Sequence, residues 1–228
     1  MSKRYELVVF DWDGTLMDSE ARIVSCMQRA AADAGFPIPA PAAARDIIGL
    51  GMTEAVGRLF PTADPRSVDD LISAYREHWL GNEVEAETMF GGALDLVSGL
   101  YRSGYLLAVA TGKSRRGLNK AFAESGLGAF FHASRCADET FSKPHPQMLE
   151  EILTDLDISP AAALVIGDTE YDLQMAGNAG VRSVAVGYGA HEPERLAGHG
   201  PLTILEDLVD LIGWLDEGER ANRSPRTG

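Results

Sequence analysis

Two cysteines among 228 residues are too few for a disulfide framework. Neither Cys26 nor Cys136 has a neighbouring histidine or a metal-ligand spacing, so both read as small buried apolar residues. A reducing, cytoplasmic setting is the expectation that follows. Basic residues are short too: 20 Lys and Arg stand against 34 Asp and Glu, a net charge of −14. That balance removes nucleic acid as a main partner, because phosphate backbones select basic surfaces. It leaves room for a small anionic substrate, which needs only a local positive site or a metal. No apolar run approaches the ~20 residues of a membrane span, and the first strand begins too early to leave room for a leader. His78, His132, His145, His191 and His199 show no HxxxH or HxH spacing, so zinc is not expected. No internal repeat of fixed period appears. Charged residues at 24 % and hydrophobic ones at 45 % describe an ordinary globular chain, long enough for one large domain or one with an insertion.

The run Leu7-Val8-Val9-Phe10 reads as a buried parallel strand. Asp11-Trp12-Asp13-Gly14 follows it directly. Residues two apart in extended backbone share a face, so Asp11 and Asp13 are expected side by side at the strand's end. Two ionised carboxylates in a core need compensation. A divalent cation supplies it, and oxygen ligands of this kind suit Mg²⁺. Gly14 lets the chain turn away from the sheet.

Apolar residues recur at helical spacing from Ser19 to Ala34, with Gly35 as a stop. Further helices are expected over Ala42 to Ile48 and from Thr53, as cap, to before Pro61. Ser67 and Asp70 resemble a capping box for a helix through Leu71, Ile72, Tyr75 and Trp79. Between Met17 and Phe90 no strand is predicted. Beyond it, helices and strands alternate: helices over Gly92–Ser103, Ser114–Ser125, Pro144–Leu156 and Tyr171–Ala179, strands over Tyr105–Ala110, Phe130–Ser134, Ala163–Ile166 and Ser183–Val186. A last amphipathic helix is expected over Thr203–Leu215, with Ile204, Leu205, Leu208, Leu211, Ile212 and Leu215 on its buried stripe. Such alternation predicts an α/β fold, a Rossmann-like parallel sheet covered by helices. The expected division is a core of residues 1–16 and 91–216, an all-helical cap of 17–90 inserted after the first strand, and a flexible tail of 217–228. An insertion there sits above the carboxyl ends of the strands, where open α/β sheets bind ligands.

Three more segments complete the pattern. Val109-Ala110-Thr111-Gly112-Lys113 ends a strand with a hydroxyl, a glycine amide that an anion can approach, and a helix N-terminus behind them. Lys143 precedes a proline and a helix start, where its ammonium can offset carboxylates and bind a phosphoryl oxygen. Asp168 leaves a strand's end as a third carboxylate, and Asp172 lies one helical turn on. The ordered set DWDGTLMDS, VATGK, SKPHPQML and GDTEYDLQMAGNAG resembles the four motifs of the haloacid dehalogenase-like hydrolases, and within them the phosphoglycolate phosphatase-like branch. The resemblance spans nearly the whole chain.

It implies a phosphatase of small phosphorylated metabolites that uses Mg²⁺. Asp11 is then the nucleophile that forms an aspartyl-phosphate, and Asp13 the acid and base. Asp11, the Asp13 backbone carbonyl and Asp168 hold the metal, with Asp172 behind them orienting metal waters or Lys143. Thr111, Gly112 and Lys143 hold the phosphoryl group. An acid at Asp13 argues against dehalogenation, since halide leaves without a proton. The lack of any lysine between Arg4 and Gly112 argues against phosphonate cleavage through a cap Schiff base. A sugar phosphomutase or pyrophosphatase uses the same motifs, and a non-catalytic phospho-accepting regulator is a remoter alternative. Specificity is expected in the cap near Arg45, Gly49 and Thr53, with Arg22 or Arg76 as further arginines able to grip a substrate carboxylate. Oligomeric state is not legible.

Overall fold

A computed structural model describes residues 3–81 and 88–223, the side chains of 218–223 excepted. Residues 82–87 of the expected cap and 224–228 of the expected tail lie outside it. In chain order the elements are β1 (Leu7–Phe10), β2 (Met17–Asp18), α1 (Glu20–Asp33), α2 (Pro41–Asp46), α3 (Met52–Leu59), α4 (Pro65–Leu80), β3 (Thr88–Met89), α5 (Ala93–Arg102) and β4 (Leu106–Thr111). There follow α6 (Arg115–Ser125), β5 (Ala133–Cys136), α7 (Gln147–Asp155), β6 (Ala163–Gly167), α8 (Glu170–Asn178), β7 (Arg182–Val186), α9 (Pro193–Ala197), β8 (Ile204–Leu205) and α10 (Asp210–Arg223).

Six strands form one parallel sheet in the order β5-β4-β1-β6-β7-β8. Leu7, Val8, Val9 and Phe10 are all buried because helices cover both faces. One face packs Val8, Phe10, Val109 and Ile166 against α5, α6 and α10. The other packs Val9, Ala108 and Val165 against Met148 and Ile152 of α7 and Met175 of α8. The chain runs from β1 outward to β4 and β5, then returns to β6 on β1's other side. The order reverses at β1 and β6, and a crevice opens beyond their carboxyl ends.

The cap is a separate packing unit. Met27 and Ala30 of α1, Val56 of α3, and Leu71 and Tyr75 of α4 bury one another. Its entry and exit are joined by an antiparallel ribbon pairing Met17 with Met89 and Asp18 with Thr88. This ribbon corrects the expectation of no strand between Met17 and Phe90. Other local expectations also change. Asp64, not Ser67, caps α4: its carboxylate accepts from the Arg66 and Ser67 amides, and Pro65 fills the first helical position. Gly51 rather than Thr53 precedes α3, so Thr53 lies in the first turn. The fifth strand starts at Ala133, because Phe130 closes a 3₁₀ turn. The helix expected over Thr203–Leu215 splits into an edge strand, β8, and a helix beginning at Asp210, which leaves Ile212 exposed. That helix continues to Arg223. Among the described residues no helix is long and apolar enough to cross a membrane.

Candidate active site

The ladder that builds β1 extends one residue further, where the Asp11 amide donates to the Ile166 carbonyl at 2.9 Å. Asp11 and Asp13 therefore lean into the crevice. Trp12 between them turns to the opposite face and packs edge-on against Phe122 at 5.3 Å. Gly14, at φ +81°, makes the turn that follows, and a Cβ there would stand 2.1 Å from Asp168 Oδ2. Gly189 is equally close: its Cβ would meet Asp168 Cβ at 2.2 Å. Asp168 thus sits in a cradle that only glycines leave open.

Asp168 is fully buried at the end of β6. Its Oδ1 accepts from Thr15 Oγ1 at 2.9 Å and its Oδ2 from the Ala190 amide at 2.8 Å. Burial, reinforced by the Asp172 charge, pushes its carboxyl up to about 7. Lys143 is 1 % exposed, and its Nζ lies 2.7 Å from Asp11 Oδ1 and 2.6 Å from Asp172 Oδ1. Burial disfavours that ammonium, but the two carboxylates outweigh it and hold Lys143 above its ordinary range. Asp172 is also occupied by the Thr169 amide and hydroxyl, both donating to its Oδ2. Asp11 is raised well above a normal carboxyl by burial, against the pull of Lys143.

One oxygen of Asp11, Oδ2, is buried with no hydrogen-bond partner among the described residues. Oxygens of Asp11, Asp168 and Asp172 lie within 4.8 Å of one another. Three carboxylates share a single ammonium, and one oxygen of Asp11 is left without a hydrogen bond. An all-oxygen donor set with surplus negative charge fits a hard divalent cation.

The side chain of Asp13 is not in that group. Its Oδ1 accepts from Ser19 Oγ at 2.6 Å and pairs with Lys113 Nζ at 2.8 Å. The two acids of the first motif leave one strand end and pair with different lysines, Asp11 with Lys143 and Asp13 with Lys113. Thr111, fully buried at the end of β4, accepts from the Lys113 amide at 3.2 Å. A Cβ on Gly112 would strike the carbonyls of Leu50 and Gly49 at 2.5 and 2.8 Å, so the cap's 49–51 loop lies directly on this turn. The Gly51 amide donates to Ser142 Oγ of the core at 2.7 Å.

A second contact between cap and core lies further round the crevice. Arg195 of α9 pairs with Asp46 of the cap and with Glu170, the latter at 2.6 Å. Tyr171 donates its hydroxyl to the Asp46 carbonyl at 2.7 Å. Burial holds His191 below its usual value, and its Nδ1 accepts from the Glu170 amide, which leaves Nε2 protonated toward the Asp46 carbonyl.

Between cap and core lies a cavity of about 430 Å³. Gly49 and Thr53 line it, as does Arg76. Arg45 does not: it is bound to Glu20 at 2.6 Å in a half-exposed pair. Arg22 is committed to Trp79, whose carbonyl accepts from its Nη2 at 2.6 Å. The roles of Ser19, Thr15 and Lys113 were not foreseen. Lys113 stands in the quoted VATGK segment, but its partner Asp13 is distant in sequence. Burial pushes the Cys136 thiol up to about 12, and Cys26 is buried, so neither cysteine is a nucleophile.

The parallel sheet, its strand order and the helical insertion after β1 set the class of fold to which the chain belongs. Residues 8–186 match the family described as "Haloacid dehalogenase-like hydrolase", and the chain belongs to that family. The "Probable phosphatase IndB" of Dickeya dadantii is 32 % identical over 213 residues, covering 91 % of this chain and 92 % of its own. Pyrophosphatase PpaX of Halalkalibacterium halodurans is 28 % identical, covering 90 % and 96 %. A phosphoglycolate phosphatase of Vibrio cholerae is 27 % identical, covering 92 % and 96 %. Among solved structures, the haloacid dehalogenase-like family protein SP0104 of Streptococcus pneumoniae superposes with a TM-score of 0.80 at 21 % identity, covering 92 % and 98 %. That likeness concerns the fold.

Proposed function

We propose that the protein is a Mg²⁺-dependent phosphatase that hydrolyses a small phosphate monoester through an aspartyl-phosphate, in the cytoplasm. The observation that carries this reading is the orphaned Asp11 Oδ2, buried beside Lys143 at the point where the strand order reverses. Residues 17–90 act as the cap over a core of 1–16 and 91–216. Asp11, Asp168 and the Asp13 backbone carbonyl would hold Mg²⁺, which when bound neutralises charge on the phosphoryl oxygens.

Asp11 attacks phosphorus, and its buried position keeps bulk water from competing. Lys143 lies against the same carboxylate and faces the phosphoryl oxygens, with Asp172 fixing its ammonium in place. The Thr111 hydroxyl and the Gly112 amide hold the remaining oxygens. Asp13 stands on the cavity side, gives a proton to the leaving oxygen, and later takes one from the water that attacks the acyl phosphate. Ser19 donates to its Oδ1 and Lys113 pairs with it, so its orientation is set from the cap's first turn and from the core.

The PpaX relative supports a second reading, pyrophosphate hydrolysis, in which the same residues expel phosphate instead of an alcohol. Turnover of p-nitrophenyl phosphate with and without Mg²⁺ tests the main proposal. Asp11→Asn is expected to lower it by at least about 10³-fold. Retained turnover in that variant rejects Asp11 as nucleophile, and faster cleavage of pyrophosphate than of every monoester favours the second reading.

A further inference from the structure

We infer that the alcohol part of the substrate is an apolar, ring-sized body rather than a short hydroxyacid, an inference that rests on the phosphatase reading above. Asp13, Gly112 and Lys113 form the core side of the 430 Å³ cavity. If Asp13 protonates the leaving oxygen, the leaving group must lie on that side. Its walls are then cap residues, chiefly Ile23, Ile48, Ile72, Tyr75 and Trp79. Ile23, Ile48, Ile72 and Tyr75 belong to the cap's buried apolar set, and their side chains present hydrocarbon to the space.

The cations that line the cavity are Lys113, which pairs with Asp13 at 2.8 Å, and the exposed Arg76 and Arg116. Arg45 is tied to Glu20, and Arg22 lies over the Trp79 ring at 4.8 Å while donating to its carbonyl. A glycolate carboxylate seated against the wall of Ile23, Ile48 and Ile72 would meet hydrocarbon, which is unfavourable for a charge. A two-carbon glycolate body is also small against a cavity of about 430 Å³. The remainder would be water against hydrocarbon. The volume falls instead in the ~300–1,000 Å³ range of sites that enclose larger organic ligands.

The wall is also fixed in advance. Trp79 is held by the Arg22 guanidinium, by Lys113 Nζ at 4.2 Å from the ring centroid, and by Tyr75 stacked at 5.9 Å. Lys113 joins this wall to Asp13, so the apolar surface and the proposed acid keep one spacing. A preformed apolar wall selects a body that fills it.

The test compares two primary-alcohol monoesters with Mg²⁺ present, phosphoglycolate and 2-phenylethyl phosphate. We expect kcat/KM for the phenylethyl ester to be at least about tenfold higher. Ile72→Asn, which puts an amide on the wall, should bring that ratio down toward one. A ratio taken on one preparation cancels any loss of folded protein. Calorimetry with the non-hydrolysable 2-phenylethylphosphonate should show a negative heat-capacity change on binding. A wild-type ratio of one or below, faster hydrolysis of pyrophosphate, an Ile72→Asn ratio equal to wild type, or phosphonate binding without a heat-capacity change would each overturn the inference. Failure to hydrolyse any phosphate ester would remove the phosphatase reading and this inference together, whereas preference for phosphoglycolate removes this inference alone.

Discussion

Lys143 occupies a position where burial alone would strip its charge, and it stays charged because Asp11 and Asp172 flank it at 2.7 and 2.6 Å. Removing one member of a buried pair costs more than the pair contributes, because the remaining charge is left uncompensated. Lys143→Met is therefore expected to lower the unfolding free energy by about 3 kcal/mol at pH 7, measured by urea denaturation. The double variant Lys143→Met/Asp172→Asn should recover part of that loss, since one orphaned charge disappears with the second change. An additive double variant would show that the two side chains act independently. Asp11 and Asp168 were legible because each directly follows an apolar strand, and Lys143 because it precedes a proline and a helix start. The pairing of Lys113 with Asp13 was not, since 100 residues separate the two and nothing local records which lysine meets which acid.

At the scale of elements, the sequence misled where pairing across space decided the outcome. Ile204 and Leu205 fit a helical stripe with Leu208 and Leu211, but Ile204 aligns with Ala185 and Leu205 with Val186 at the edge of the sheet. Edge pairing overrode the local period. The two-residue ribbon of β2 and β3 carries no periodicity at all, so only its remote partner makes it a strand. The start of α4 is the opposite case, a local signal that was present and misassigned. Asp64 stands before Pro65 and binds the two amides that a cap should bind. The Ser67 hydroxyl, donating to Oδ2 at 2.6 Å, and then those amides hold the Asp64 carboxyl below its ordinary value. A lowered carboxyl adds stability that is present above the unfolded-state value near 4 and is lost as the pH falls through the folded-state value. Asp64→Ala is expected to lower the melting temperature by about 2–4 °C at pH 7. The gap from wild type should shrink when both are melted near pH 3, and a gap that is constant with pH would deny the carboxylate its capping role.

For the whole molecule, the net charge of −14 matters less than where its negative excess is concentrated. Asp11, Asp168 and Asp172 are buried together with one balancing ammonium, and glycines at 14 and 189 keep Asp168 close to them. Folding without a cation confines that excess in a low-dielectric crevice, while unfolding returns it to water. A cation that binds only the folded chain should therefore appear as stability, by mass action. At a hundred times its dissociation constant, Mg²⁺ would contribute about 2.7 kcal/mol. At about 2–4 °C per kcal/mol for a chain of this size, melting should rise by roughly 5–10 °C. EDTA should reverse the rise, and Asp168→Asn should abolish it, because that change removes a carboxylate charge from the cradle. The same magnesium titration with Na⁺ at equal ionic strength separates specific binding from general screening of the acidic surface. A wild-type melt indifferent to Mg²⁺, or an Asp168→Asn protein that responds as the wild type does, would mean that the buried acids compensate one another through protons and Lys143 alone.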